Sequence, residues 1–332
     1  MSTLTQFDSG PDTGAAKLVN LQVSNWRTRT SSGNHFWRDI AWNGTVFAAV
    51  SQTAGTANRV MTSPDGITWT GRTVPSASNI DWTGIAWNGT VFAAVASDGV
   101  MTSPDGITWT FRADAGDLSW TGVAWNGTVF AAVAANGTNR VMTSPEGTTW
   151  TARTSAAANS WRAIAWNGTV FAAVSISGSG NRVMTSPDGI TWTIRTSAAD
   201  NDWEAIAWNG TVFAAVASTG SNNRVMTSPD GITWTSRTSA ADNSWDAIAW
   251  NGTVFAAVAR DGVFPIMTSP DGITWTSRTS ATGNDFRGIA WNGLGTGTTL
   301  LLPAAGTGTV FAVVAMSGTG NRVMTSLFLK DE

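Results

Sequence analysis

Residues 203–216 read Trp-Glu-Ala-Ile-Ala-Trp-Asn-Gly-Thr-Val-Phe-Ala-Ala-Val, and the fold follows from this stretch. Asn209-Gly210 is the strongest short hairpin signal a sequence offers, because both residues tolerate positive φ. Before it, Trp203 to Trp208 reads as a strand with Ile206 and Trp208 on one face and Ala205 and Ala207 on the other. Small alanines suit a crowded innermost strand. After it, Thr211 to Val216 is apolar on both faces, which marks a strand sandwiched between neighbours. A polar loop, Ser218 to Asn223, leads to a third strand, Arg224 to Thr227. Pro229-Asp230-Gly231 then turns the chain into a fourth strand carrying Trp234 and Arg237.

The unit repeats. Ala-Trp-Asn-Gly places Trp42, Trp87, Trp125, Trp166, Trp208, Trp250 and Trp291 about 41 residues apart, the spacing of four short strands per propeller blade. The expectation is an all-β chain, a seven-bladed β-propeller of four-stranded antiparallel blades. The seventh copy lacks a fourth strand, since only Leu327-Phe328-Leu329 and a charged end follow Ser326. At the other terminus Trp26, Arg29 and Thr30-Ser31 match Trp234, Arg237 and Thr238-Ser239. Residues 18–31 are therefore expected to complete the last blade, removing the free edges of an open array. One domain over 18–332 results, preceded by a flexible arm, 1–17, and interrupted by an insertion, 294–308, in the seventh Asn-Gly hairpin.

The segment Ser228-Pro-Asp-Gly-Ile-Thr-Trp234 recurs at Ser63–Trp69, Ser103–Trp109, Ser144–Trp150, Ser186–Trp192 and Ser269–Trp275. Its carboxylate (Asp65, Asp105, Glu146, Asp188, Asp230 or Asp271) can accept amide hydrogens within the turn, its Gly supplies φ > 0, and its Trp packs inside the blade. The segment resembles the Asp-box of bacterial-neuraminidase-repeat, sialidase-like propellers, one residue shorter than usual and with Glu146 in the third copy. The resemblance implies a structural role for the box. It leaves function open, because that family includes sialidases, other glycosidases, lectin-like proteins and assembly factors.

Composition narrows the choice. Cysteine is absent, and His35 is the one histidine, so a thiolate or histidine metal site is not expected; no cofactor is either. Charged residues make up 12% of the chain and are scattered, with a net charge of −3, which leaves no footprint for nucleic acid. No apolar run is long enough to insert in a membrane, and the N-terminus lacks the basic start and apolar core of a secretory signal. A sialidase-like mechanism needs a tyrosine nucleophile, and the chain has no tyrosine. Its arginines recur in register (Arg72, Arg112, Arg153, Arg195, Arg237, Arg278) instead of forming one special group. Catalysis converges a few unlike groups at one place, whereas here nearly every group recurs. No catalytic residue is expected.

Candidate binding residues come from the repeat and its exceptions. The pairs Asn58-Arg59, Asn139-Arg140, Asn181-Arg182, Asn223-Arg224 and Asn321-Arg322 could form polar pockets between blades, or cap loops. Trp37, Trp82, Trp120, Trp161, Trp203 and Trp245, with Phe286 in the last copy, lead into the innermost strand and either fill space between blades or line a groove at the axis. The residue after each varies: Arg38, Thr83, Thr121, Arg162, Glu204, Asp246 and Arg287. Such a mixture on a fixed frame reads as drift or as a tuned surface. Leu294, Leu300, Leu301 and Leu302 of the insertion are candidates for partner attachment. Asn-Gly and Pro-Asp-Gly turns fall on one face of the disc and the variable loops on the other, so a chain tethered by the insertion would present its loops outward.

The functional expectation is a non-enzymatic binding or structural module of a bacteriophage particle or bacterial surface adhesion system. It would be made in the cytoplasm and reach a virion or extracellular surface without a Sec signal, with other structural proteins as partners. The alternative is a multivalent lectin that binds cell-surface glycans at equivalent sites between blades.

Overall fold

The structure, a computed structural model, describes residues 26–52, 58–75, 80–116, 118–292 and 309–328. It contains seven four-stranded sheets, each antiparallel and each ordered along the chain except the last. In the fifth blade the strands are Trp203–Trp208, Phe213–Ala217, Val225–Ser228 and Thr235–Arg237. The second strand begins later than its composition suggests, because Asn209 holds the two residues before it in the turn. Asn209 Oδ1 accepts the amides of Thr211 at 2.9 Å and Val212 at 2.7 Å, and Gly210 adopts φ 98°.

The last blade is Phe286–Trp291, Thr309–Ala315 and Val323–Phe328, closed by Trp26–Arg29 from the other end of the chain. Trp26 pairs with Ser326 and Arg29 with Val323. Side chains repeat the equivalence: Arg29 Nε–H donates to Thr325 Oγ1 at 2.9 Å, as Arg237 Nε–H does to Thr227 Oγ1 at 2.8 Å. Trp26 stacks on Phe311 at 6.3 Å, as Trp234 does on Phe213 at 6.2 Å. The arm 1–17 and the insertion 294–308, with its four leucines, lie outside the described residues.

The core lies between blades. Trp203, Ile206, Phe213, Ala215, Ala217 and Met226 of the fifth blade pack with Ala172, Val174 and Val183 of the fourth. Ala205 and Ala207, on the other face of the inner strand, pack toward the sixth blade's Trp245 and Phe255. The apolar second strand is thus covered on both sides, as its composition requires. The box turn has its own bonds: Asp230 Oδ1 accepts the amides of Ile232 (2.8 Å) and Thr233 (3.1 Å), and Ser228 Oγ accepts that of Gly231 (2.8 Å). Trp234 Nε1–H donates to the Gly231 carbonyl at 2.9 Å.

Candidate functional site at the propeller axis

Each innermost strand carries a break in register at the same place. Trp203 pairs with Ala217 and Ala205 with Val216, so Glu204 has no partner across the ladder. The irregularity recurs in all seven blades, from Trp37/Asp39 to Phe286/Gly288. A β-bulge of this kind re-aims a side chain. Here it turns the extra residue toward the axis and lets the residue before it join the opposite face, so Trp203 shares a cluster with Ile206. The leading tryptophans are therefore core: Trp37, Trp120, Trp161, Trp203 and Trp245 are 0% exposed. They do not line an axial groove, which removes them as stacking platforms for sugars.

The axis is lined instead by the bulge residues. Arg38, Thr83, Thr121, Arg162, Glu204, Asp246 and Arg287 surround a cavity of about 210 Å³, together with Asp39 and inner-strand residues such as Val123 and Ile289. The inner ring is tight. A Cβ on Gly122 would stand 2.9 Å from the Arg162 carbonyl oxygen of the next blade, so side chains beyond alanine are mostly absent at that position.

The charged groups form a chain around half of the ring. Arg162 Nε lies 3.0 Å from Glu204 Oε2, and Arg260 Nη2 lies 2.9 Å from Glu204 Oε1 and 2.8 Å from Asp246 Oδ1. Arg287 continues it, 3.4 Å from Asp246 Oδ2 and 2.6 Å from Asp285 Oδ1. Burial pushes the Glu204 carboxyl upward, but Arg162, the Ser218 hydroxyl and Arg260 outweigh it and hold the group below its ordinary value. At Asp246 burial wins and the carboxyl is raised. Arg38 has no carboxylate within ion-pair distance among the described residues; its Nη1–H points at Met316 Sδ, 3.5 Å away. Thr83 and Thr121 lie against the carbonyl oxygens of Trp120 (2.5 Å) and Trp161 (2.8 Å) in the following blades.

Asp39 is the exception that sequence reading passed over. Gly84, Gly122, Ala163, Ala205, Ala247 and Gly288 occupy its position in the other blades. Its Oδ1 accepts the amide of Ile40 at 2.8 Å and its Oδ2 that of Ile85, in the next blade, at 2.9 Å. Burial outweighs both bonds and raises the carboxyl to about 6. Arg260 and Asp285 were also missed. Comparing copies position by position would have found Asp39 and Arg260: serine stands at 218, where the fifth blade aligns with Arg260.

The axis also qualifies one premise of the sequence reading. Elsewhere groups recur, but at the bulge unlike groups do converge in one cavity.

The Asn-Arg pairs sit in the loops on the face opposite the tight turns, and their arginines reach loop carbonyls. Arg182 donates to the Gly178 and Ile176 carbonyls and Arg224 to those of Gly220 and Ser218. Arg140 reaches the Asn159 carbonyl of the next blade at 2.7 Å, Arg322 reaches that of His35 at 2.7 Å, and Arg59 that of Ile80. Asn58, Asn139, Asn181, Asn223 and Asn321 accompany them; Asn201 Nδ2 donates to the Asn223 carbonyl, for example. These groups staple loops to one another. Among the described residues no cluster of three or more metal-ligating side chains occurs.

The chain is a seven-bladed β-propeller. No protein-family model and no curated protein matches it. Its fold is similar to that of a catalytically inactive virginiamycin B lyase from Staphylococcus aureus solved with quinupristin, with a TM-score of 0.74 at 10% identity over 92% of this chain and 99% of that one. YCF48 bound to D1 peptide gives 0.65 at 14% identity over 92% and 96%, and the Swd1 β-propeller domain of Myceliophteria thermophila 0.61 at 11% over 89% and 97%. At these identities the likeness is one of fold.

Proposed function

We propose that this chain is a non-enzymatic binding propeller of the Asp-box type, with its recognition site at the axial cavity. One observation carries the reading. Seven structurally equivalent bulge positions bear arginine, threonine, glutamate or aspartate aimed at one cavity, on inner strands whose other positions are nearly uniform. A rigid inner wall that varies mainly where it faces a void suits selective binding. The ring carboxylates at 204 and 246 are engaged by arginines, which favours a binding role over a catalytic one. YCF48, a propeller of the same fold, is described as bound to a peptide, which supports a protein partner here. The finer form of the proposal is a component of a phage particle or bacterial surface assembly, attached through the face that bears the seventh Asn-Gly hairpin.

A multivalent lectin using the Asn-Arg loops is the second reading. It is favoured by the repetition of those loops, and weakened because their guanidinium hydrogens already serve backbone carbonyls.

The test presents the full chain to glycan and peptide arrays beside a variant with Thr at 38, 162, 204, 246 and 287. Thr is native in two blades, so the variant should fold. Saturable binding lost in the variant is the expected result. Binding that survives unchanged would move the site elsewhere, and turnover of a glycoside panel abolished by Glu204→Gln would make the protein an enzyme.

A further inference from the structure

The main chain of the inner strands turns a ring of amide N–H groups, each beside its own carbonyl, toward the axis. The Ile40 and Ile85 amides point away from their sheets, because both donate to Asp39 instead of across the ladder. The register is the same in every blade: Ile40 pairs with Ala49, Ile85 with Ala94, Val123 with Ala132 and Ile164 with Ala173. In the antiparallel pattern a residue's amide direction is set by its pairing class. The amides of Val123, Ile164, Ile206, Ile248 and Ile289 therefore face the same way, and all five residues line the cavity. Among the described residues no side chain caps them, since Gly or Ala precedes each one.

The chain itself shows what such amides take. Where a side chain is long enough to reach two of them, it is a carboxylate, Asp39, bridging adjacent blades. Arg38 adds a cation. Burial depresses its guanidinium; Asp246 opposes that, and Arg162 and Arg287 add to it. The acids of the ring are already matched: Glu204 by Arg162 and Arg260, Asp246 by Arg260 and Arg287. Arg38 and the five amides are thus the donors that the ring acids leave to a ligand, and a buried donor without an acceptor is costly.

From this geometry we infer that the axial cavity binds a carboxylate, which bridges two adjacent main-chain amides among those of the third to seventh blades, as Asp39 does, with Arg38 as the cation. The inference rests on the axial site proposed above and specifies its ligand chemistry. A volume of about 210 Å³ admits a small organic acid or the last residue of a chain.

Trifluoroacetate observed by fluorine NMR is a suitable probe for the full-length protein. The wild type should broaden its resonance saturably, with displacement by succinate. Arg38→Gln should weaken binding about tenfold, the loss expected for one charge-assisted hydrogen bond, while Arg112→Gln, on an outer strand, should not. Ala163→Asp should weaken binding while the fold is kept, because its carboxylate would take the Ile164 and Ile206 amides as Asp39 takes its own pair, leaving only the Ile248 and Ile289 amides as an adjacent pair. A tripeptide with a free carboxyl terminus competing better than succinate, and better than its amide, assigns the carboxylate to a chain end; the reverse order assigns it to a free acid. No saturable broadening with wild type, or undiminished binding by Arg38→Gln, overturns the inference. If array binding persists in that event, the axial reading stands and only the carboxylate chemistry fails.

Discussion

Arg162 of the fourth blade and Glu204 of the fifth meet at 3.0 Å across the boundary between two sheets. The pair joins equivalent positions in successive repeats, so the ion pair exists only because the two copies diverged at one residue. Glu204 also meets Arg260 at 2.9 Å, and its side chain is 7% exposed. Removing it would leave Arg162 facing the cavity without its counter-ion and Arg260 with Asp246 alone. Glu204→Ala should destabilise the fold by roughly 2–4 kcal/mol, since breaking one side of a buried pair costs more than the pair contributes. Glu204→Thr combined with Arg162→Thr should cost clearly less, because both blades then match the second and third. Urea unfolding of the three proteins decides the matter, and equal losses would show that the network is not coupled.

Asp39 gives a pH signature of unusual sign. Its folded value, about 6, lies above the ordinary carboxyl value of 3.8. Between these values the folded chain holds more protons than the unfolded chain, so stability falls as pH rises through the window. Above about 7 and below about 3 the contribution is flat. The difference in unfolding free energy between wild type and Asp39→Ala, followed from pH 3 to 8, should therefore decline toward high pH by at most about 1.4 kcal/mol per unit. A difference that is flat or rises over pH 4–6 would mean that the two amides outweigh burial.

The box aspartates run the other way. At Asp65, Asp105, Asp188, Asp230 and Asp271 burial pushes the carboxyl up, but the turn amides and the box serine outweigh it and hold each group below its ordinary value. Their contribution is present above about 4 and lost as pH falls further. Glu146 takes no amide; Thr148 Oγ1 is its partner at 2.7 Å. Glu146→Asp should repair the third box and raise stability by about 0.5–1.5 kcal/mol, read as a higher melting temperature. An unchanged or lower value would show that the longer side chain already serves the turn.

Closure of the ring rests on Trp26 to Arg29. Trp26 is 6% exposed and sits in the cluster that joins the sixth and seventh blades. Trp26→Ala should cost roughly 3–5 kcal/mol. Deleting residues 1–31 should expose the edge of Val323–Phe328 and produce aggregation or severe destabilisation. A truncated chain that stays monomeric and melts like the full one would refute closure by this strand.

The blade count, the strand order and the closing strand were legible because each rests on a local signal: the Asn-Gly turn, the doubly apolar second strand, the Trp-Arg spacing. The division of Ile206 and Trp208 from Ala205 and Ala207 was legible from simple alternation. The position of Trp203 was not. A period of two puts it with Ala205, and only the bulge at Glu204 moves it to the Ile206 face. A bulge adds no residue type of its own to the sequence, so the leading tryptophans kept two readings. The variable position after them was visible, but the convergence of its seven copies on one cavity needed the ring to be closed in space. Arg260 shows the same limit: it reaches Glu204 from a loop 56 residues further along the chain.

The bulge separates two tasks that most proteins must solve with the same residues. A side chain without a partner across the ladder can be exchanged without disturbing strand pairing or the apolar packing between sheets. Each repeat thus offers one editable letter, and duplication supplies a new letter already facing the same void. A ring built this way can acquire a new specificity by single substitutions whose stability cost is confined to charge balance and to a few bonds with the next blade, and it can do so as fast as its repeats diverge.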